Sequence, residues 1–358
     1  MVDTETDDAD DLDAASDGAP RSFALGVGLT NACDLACSHC YRGPGVDALT
    51  MDQVLAAVDA VPTRAVNFGT GENGLHPDFG ALVERLQARG IAVTMTTNGH
   101  SAAVLSDDVL RKMRDVELSI DFPTRAEHDA ARAPGNWDLI EAQMARCRRL
   151  GVSTSIVTVL MASNHRAMRE LVALVADRGA LLRVNVYQPM RHDLASPTFE
   201  QFWRAWSDLL DVADVVACGE PIVRAVLGLP ATEGEGCGAA TLRLTPRGEI
   251  LGCVYERESA LSLADLVRLG SDVARSGRLH RALPLPAACA SCPQKETCRG
   301  GCSSRRRLVD ASAPDVYCPF VRGVDVPLRR DRAPSSGPVS PKAASACTTI
   351  LRPRVAPA

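Results

Sequence analysis

Cysteine is the residue with the most chemical content in this protein: thirteen occur in 358 residues, and they cluster. Cys33, Cys37 and Cys40 stand as C-x3-C-x2-C in TNACDLACSHCYRG, directly after the apolar segment FALGVGL. Three thiolates fall one short of a closed tetrahedral zinc site, and His39, lodged between two of them, is poorly placed as the fourth ligand. An iron–sulfur cube held by three cysteines keeps one iron open for a substrate or cofactor. A second set lies near the other end: Cys237, Gly248 and Cys253, then Cys289-x2-Cys292-x5-Cys298-x3-Cys302, then Cys318. Cys218 precedes this set and Cys347 follows it. Cys147, at helical spacing from Ile140 and Met144, reads as a buried apolar thiol.

The elements that position these residues follow from hydrophobic period. From Ser22 onward, short apolar runs alternate with amphipathic segments that end at Gly or a basic turn, and the period switches repeatedly between 2 and 3.6. Six strands with intervening helices imply βαβ units and a parallel sheet with right-handed crossovers. Six units are too few for an eight-fold barrel, which leaves an open partial barrel whose sites lie at the carboxyl ends of the strands. A helix from Phe199 to Ala217 is expected next, and a short one near Leu261 to Leu269. Residues 237–318 otherwise lack long periodic segments, so bound metal must supply folding energy there. The expected organisation is an acidic disordered tail at 1–21, the barrel at 22–217, an irregular cysteine-rich domain at 218–325 and a basic Pro/Ser/Ala tail at 326–358.

Composition excludes several function classes. The net charge is −5, and the first 20 residues hold eight acidic and no basic side chains, so neither a nucleic-acid nor a membrane partner is implied. No apolar run approaches the roughly 20 residues of a span, and the acidic start is the opposite of a signal peptide. The expected compartment is the cytoplasm, where clustered cysteines point to metal or catalysis rather than to disulfides.

The first cysteine triad, with Tyr41 after it, resembles the signature of the radical S-adenosylmethionine (SAM) superfamily, and the resemblance spans about residues 22–320. It implies that SAM binds the open iron of a 4Fe-4S cluster and that one-electron cleavage yields a 5′-deoxyadenosyl radical. NFGTGEN resembles the family's F-S-G-G-E-P segment and would place Thr70, Gly71 and Glu72 near the SAM amino group, with Thr70 and Asn73 departing from the pattern. VELSIDFPTRAEHDAAR resembles the strand-4 segment, with Ser119 and Asp121 near ribose and carboxylate and Arg132 as a carboxylate clamp. Thr96 to Gly99 and Val184 to Pro189 match the ends of strands 3 and 6.

The seven later cysteines resemble the SPASM extension, which carries two auxiliary 4Fe-4S clusters. Cys289, Cys292, Cys298 and Cys318 would hold the outer cluster; Cys237, Cys253 and Cys302 would hold the inner one. Its fourth position would go to Cys218 or remain open. The resemblance to sulfatase maturases and ribosomal-peptide-modifying enzymes implies an oxidoreductase that takes hydrogen from a peptide and completes a crosslink, oxidation or epimerisation. A flavodoxin- or ferredoxin-type electron donor is implied. With about 22 residues before the first strand, a separate leader-recognition protein or direct reading of the peptide is expected. Two other readings stay open: the same chemistry on a sugar or cyclitol, with Cys218 as a candidate hydrogen donor for epimerisation, and a non-enzymatic iron–sulfur or zinc scaffold.

Overall fold

A computed structural model describes residues 22–43, 45–190, 196–229, 240–256, 261–277, 279, 283–326, 328 and 348–354. Six strands run in sequence order and pair in parallel: β1 (Phe23–Val27), β2 (Thr63–Phe68), β3 (Ala92–Thr97), β4 (Asp115–Ser119), β5 (Thr154–Leu160) and β6 (Leu181–Val186). Helices connect them on one face, as expected for an α/β partial (β/α)6 TIM-like barrel. Each strand alternates. Val66, Phe68, Val93, Met95, Val116 and Leu118 are buried in the apolar core. The residues between them are polar and bond across the other face: Asn67 Nδ2 donates to Thr94 Oγ1 at 2.8 Å, and Thr96 Oγ1 to Glu117 Oε2 at 2.6 Å.

The sheet is longer than the six strands. β7 (Ala213–Ala217), β8 (Thr241–Leu244), β9 (Glu249–Leu251), β10 (Leu261–Ser262) and β11 (Thr349–Pro353) complete an order of β10-β9-β8-β1-β2-β3-β4-β5-β6-β11-β7. Three expectations change. The helix expected to reach Ala217 stops at Val212, because ADVVA pairs with β11 as a strand; local period gives way to tertiary pairing. The expected boundary at 217/218 does not break the sheet, since β8 joins the edge of β1 in parallel. The C-terminal stretch is not tail throughout: β11 sits antiparallel between β6 and β7, with Thr349, Ile350 and Leu351 buried, and it covers what would otherwise be an open strand edge. The acidic tail at 1–21 and residues 329–347 lie outside the described residues.

The cysteine-rich segment docks through Tyr317. Its ring stacks on Phe202 at 4.0 Å, its hydroxyl donates to the Pro197 carbonyl at 2.9 Å, and Trp203 Nε1 donates to the Tyr317 carbonyl at 3.1 Å. Arg305 lies over the same ring and is itself held by Glu220 and Asp315, all three buried. Leu351→Ala should cost about 2–5 kcal/mol of unfolding free energy, because the side chain is fully enclosed between two strands. Denaturant titration checks this; a loss under about 0.5 kcal/mol would mean that β11 is not packed in solution as described.

Candidate active site

The loop after β1 carries Cys33, Cys37 and Cys40, the triad expected to hold iron. It is pinned at both ends: Asn31 N–H donates to the Asp47 carbonyl at 2.8 Å, and the Arg42 guanidinium donates to the carbonyls of Asn31 and Leu35. Burial pushes the Cys33 thiol up to about 11 and raises Cys37, with Arg132 opposing the latter. Ligation must therefore displace protons that these thiols hold at neutral pH.

The turn after β2 braces this loop. Gly71 has φ +68°, and a Cβ there would stand 2.1 Å from the Thr30 carbonyl oxygen and 2.7 Å from that of Ala32. Backbone meets backbone at this point, so only glycine fits. Glu72 N–H donates to the Ala32 carbonyl at 2.8 Å, and Leu29 N–H donates to Asn73 Oδ1 at 3.0 Å. Asn73, a departure from the family pattern, thus has a structural task. Tyr41 Oη lies 3.2 Å from Thr70 Oγ1, and its ring meets Tyr255 edge-on at 5.5 Å.

Three expected SAM contacts are turned onto protein groups instead. The Glu72 carboxylate is buried and accepts from Asn98 N–H at 2.9 Å, Ser101 N–H at 2.7 Å and the hydroxyls of Thr97 and Ser101, which places it as a brace between the β2 and β3 turns. Asp121 is buried, accepts from Val159 N–H at 2.9 Å and pairs with Arg132 at 2.7 Å. Burial alone would raise its carboxyl, but Arg132 and His39 outweigh that and hold it below the usual range. Arg132 spends Nε and Nη2 on Asp121, while Nη1 lies 3.9 Å from Cys37 Sγ. A buried aspartate must take the nearest cation, so Arg132 is not free as a clamp. Ser119 ends β4 and is buried.

One cavity of about 500 Å³ joins the triad loop to the barrel interior. Cys40, Tyr41 and Thr70 line its rim; Asn67, Thr96, Glu117, Arg183, Asn185 and Arg243 line its interior. Arg183 lies 3.4 Å from both Asp115 and Glu117, and burial raises the Glu117 carboxyl against the opposing Arg183 charge. Sequence reasoning missed Glu117, Arg183 and Arg243. Their signal was present as polar residues at alternate positions of otherwise apolar strands.

A cavity at the carboxyl ends of a partial barrel, rimmed by a three-cysteine loop, matches what comparison finds. The radical SAM superfamily model matches residues 27–175. That stretch resembles a radical SAM domain. The protein is an enzyme, and members of the superfamily it resembles use SAM and a 4Fe-4S cluster. Mycofactocin maturase MftC of Mycolicibacterium smegmatis is 26% identical over 345 residues, covering 88% of this protein and 87% of the relative. MftC of Mycobacterium tuberculosis is 27% identical over 346 residues with the same coverage. Streptococcus suis SuiB bound to S-adenosylmethionine aligns with TM-score 0.65 at 17% identity, over 84% of this protein and 77% of that one. Native anSMEcpe with bound AdoMet aligns with TM-score 0.63 at 15% identity, over 84% and 95%.

The later cysteines of this protein form two neighbourhoods. Burial raises the thiols of Cys289, Cys298 and Cys318, and each lies close enough to Cys292 for that cysteine to raise it further. Cys302, pushed up to about 12 by burial, is similarly coupled to Cys253. Cys237 lies outside the described residues. Cys218 is pushed up to about 12 by burial and contacts the Thr349 hydroxyl at 3.8 Å. Two residues after it, Glu220 meets Arg305, three residues beyond Cys302, at 2.8 Å. Among the described residues no three His, Cys, Asp or Glu donors converge on a single-ion site.

Gly71→Ala should retain the fold by circular dichroism yet lower iron bound at the first triad, because the brace is forced off Thr30; full iron loading would show that the loop does not depend on it. Asp121→Asn should cost about 3–5 kcal/mol at neutral pH by leaving Arg132 buried without its partner. The depressed carboxyl contributes fully above the free-carboxylate pKa and is lost as pH falls through its own. The variant's stability should therefore approach that of wild type in acid; a constant gap would contradict the pair.

Proposed function

We propose that this protein is a peptide-modifying radical SAM enzyme with two auxiliary clusters. The observation that carries the reading is the single cavity running from Cys40 and Tyr41 to a charged barrel interior, large enough for SAM and a substrate side chain together. Cys33, Cys37 and Cys40 would hold the first cluster, three soft thiolate donors on one braced loop. When bound there, cluster and SAM supply a one-electron cleavage that gives a 5′-deoxyadenosyl radical able to take hydrogen from a substrate carbon. Tyr41 and Thr70 at the rim, the Gly71 backbone and Ser119 would position SAM; Glu72, Asp121 and Arg132 act behind them by holding the loops.

Cys289, Cys292, Cys298 and Cys318 suit an outer auxiliary cluster through their mutual proximity, and Cys253 with Cys302 suit part of an inner one that Cys237 would join. Clusters held there would supply a path outward for the substrate's second electron, which fits an oxidation or crosslink. Residues 218–325 would thus form an auxiliary-cluster unit fused to the barrel sheet. A peptide substrate is supported by relatives: MftC is a maturase, SuiB has been seen with precursor peptide SuiA, and anSMEcpe with a Cp18Cys peptide. A flavodoxin- or ferredoxin-type donor and a separate leader-recognition protein complete the proposal.

Anaerobically reconstituted enzyme should hold about 12 irons and release 5′-deoxyadenosine from SAM. The C33A/C37A/C40A variant should keep about 8 irons and lose that release. Zinc in place of iron, or no SAM cleavage by wild type under strong reduction, would leave a metal scaffold instead. A peptide encoded beside the gene should lose two hydrogens; abundant 5′-deoxyadenosine with every such peptide unchanged would move the substrate to a small molecule.

A further inference from the structure

Arg243 on β8 stands in register with Gly26 on β1. The arginine side chain passes through the space that a residue larger than glycine would occupy: a Cβ on Gly26 would lie 2.0 Å from Arg243 Nη1, 2.6 Å from Cδ and 2.8 Å from Cζ. Gly26 does not adopt a positive φ, so it is the guanidinium, not the backbone, that requires glycine here. A glycine inside a strand marks a close approach of this kind.

The guanidinium so placed lines the cavity that Cys40 rims. The neighbouring cations are already engaged. Arg183 lies between Asp115 and Glu117, and Arg247 Nε pairs with Asp47 at 3.1 Å. The nearby acids are engaged as well: Glu117 accepts from Thr96 at 2.6 Å, Glu249 from Thr245 at 3.0 Å, and Glu256 from the N–H groups of Gly252 and Cys253 at 3.2 and 3.3 Å. The Arg243 side chain is half-buried and makes no hydrogen bond or ion pair among the described residues, though its charge lies near enough to Glu117 to favour that carboxylate. It is a cation carried into the cavity with its donor fork uncommitted, and an arginine fork matches a carboxylate with two parallel hydrogen bonds. One cation alone suits a monoanion better than a phosphate dianion.

We propose that Arg243 is the receptor for a carboxylate of the substrate, which it anchors inside the barrel beside β1. The peptide reading above supplies only the source of that carboxylate, a peptide's own C-terminus or an Asp or Glu side chain.

The test uses reconstituted holoenzyme with SAM and four probes followed by saturation-transfer NMR: N-acetyl-alanyl-alanine, the same dipeptide amidated, amidated N-acetyl-glutamyl-alanine, and succinate as a small-molecule carboxylate. The free dipeptide binding would assign a C-terminal carboxylate, and the glutamyl probe a side-chain one; the amidated dipeptide should not bind. Arg243→Gln should weaken the bound probe about tenfold or more, and Arg243→Lys less, since it keeps the charge and loses the fork. Gly26→Ala should match Arg243→Gln, because it displaces the guanidinium while leaving the charges intact, and it serves if the glutamine variant does not fold. Undiminished probe binding in both variants, or no carboxylate probe binding to wild type, overturns the proposal. An equal loss of SAM affinity in Arg243→Gln also overturns it, by assigning the fork to SAM's own carboxylate. Succinate binding through Arg243 while no peptide is ever modified would keep the receptor and remove only the peptide reading.

Discussion

A charged side chain inside a barrel must bring its counter-charge along, and the centre of this molecule is organised by that requirement. Arg183 on β6 reaches Asp115 and Glu117 on β4 across the intervening β5, and Ser155 on β5 donates to the same Asp115 at 2.7 Å. Removing Arg183 would leave two buried carboxyl groups without this cation, which is far costlier than leaving them in water. The polar face is tied together by these pairs, while the apolar face, packed on helices, supplies the burial energy. Together they leave a polar, enclosed space where catalysis needs one.

The site at the mouth is an arrangement of loops that hold one another. The turn after β2 touches the triad loop through Gly71 and Asn73, Glu72 ties that turn to the next through Asn98 and Ser101, and Asp121 draws Arg132 toward Cys37. Glu72, Asp121 and Arg132 are, in this structure, bonded to protein groups that hold the loops. Support of this kind matters chemically, because three thiolate donors, two of them from the buried thiols of Cys33 and Cys37, need a rigid frame if a cluster is to bind in one geometry.

The C-terminal half is joined to the barrel rather than appended to it. β8 adds to β1, β11 is inserted beside β6, and the Tyr317 ring with the buried Arg305–Glu220–Asp315 group fastens the cysteine-rich segment to the helix that follows β6. An electron path from cavity to surface would need this fixed relation, since cysteine neighbourhoods on a mobile domain would not keep their distance from the barrel.

The parallel six-strand order, the three-cysteine loop after β1 and the grouping of the later cysteines were legible in the sequence, because each depends on periodicity or spacing within a short window. Asn73 also showed as a departure, though its bond to Leu29 did not. Pairing partners distant in sequence were hidden. ADVVA reads as the end of a helix until β11 lies beside it, and β11 reads as part of a Pro-rich tail until the edge of β6 is there to be covered. Arg132 looks like a ligand clamp until Asp121 is found buried against it, and Arg243 has no meaning until β8 brings it over Gly26. Local chemistry is written in residue type and spacing; which charge meets which is decided only when strands far apart in sequence share one sheet, because burial makes every unmatched charge prohibitively costly.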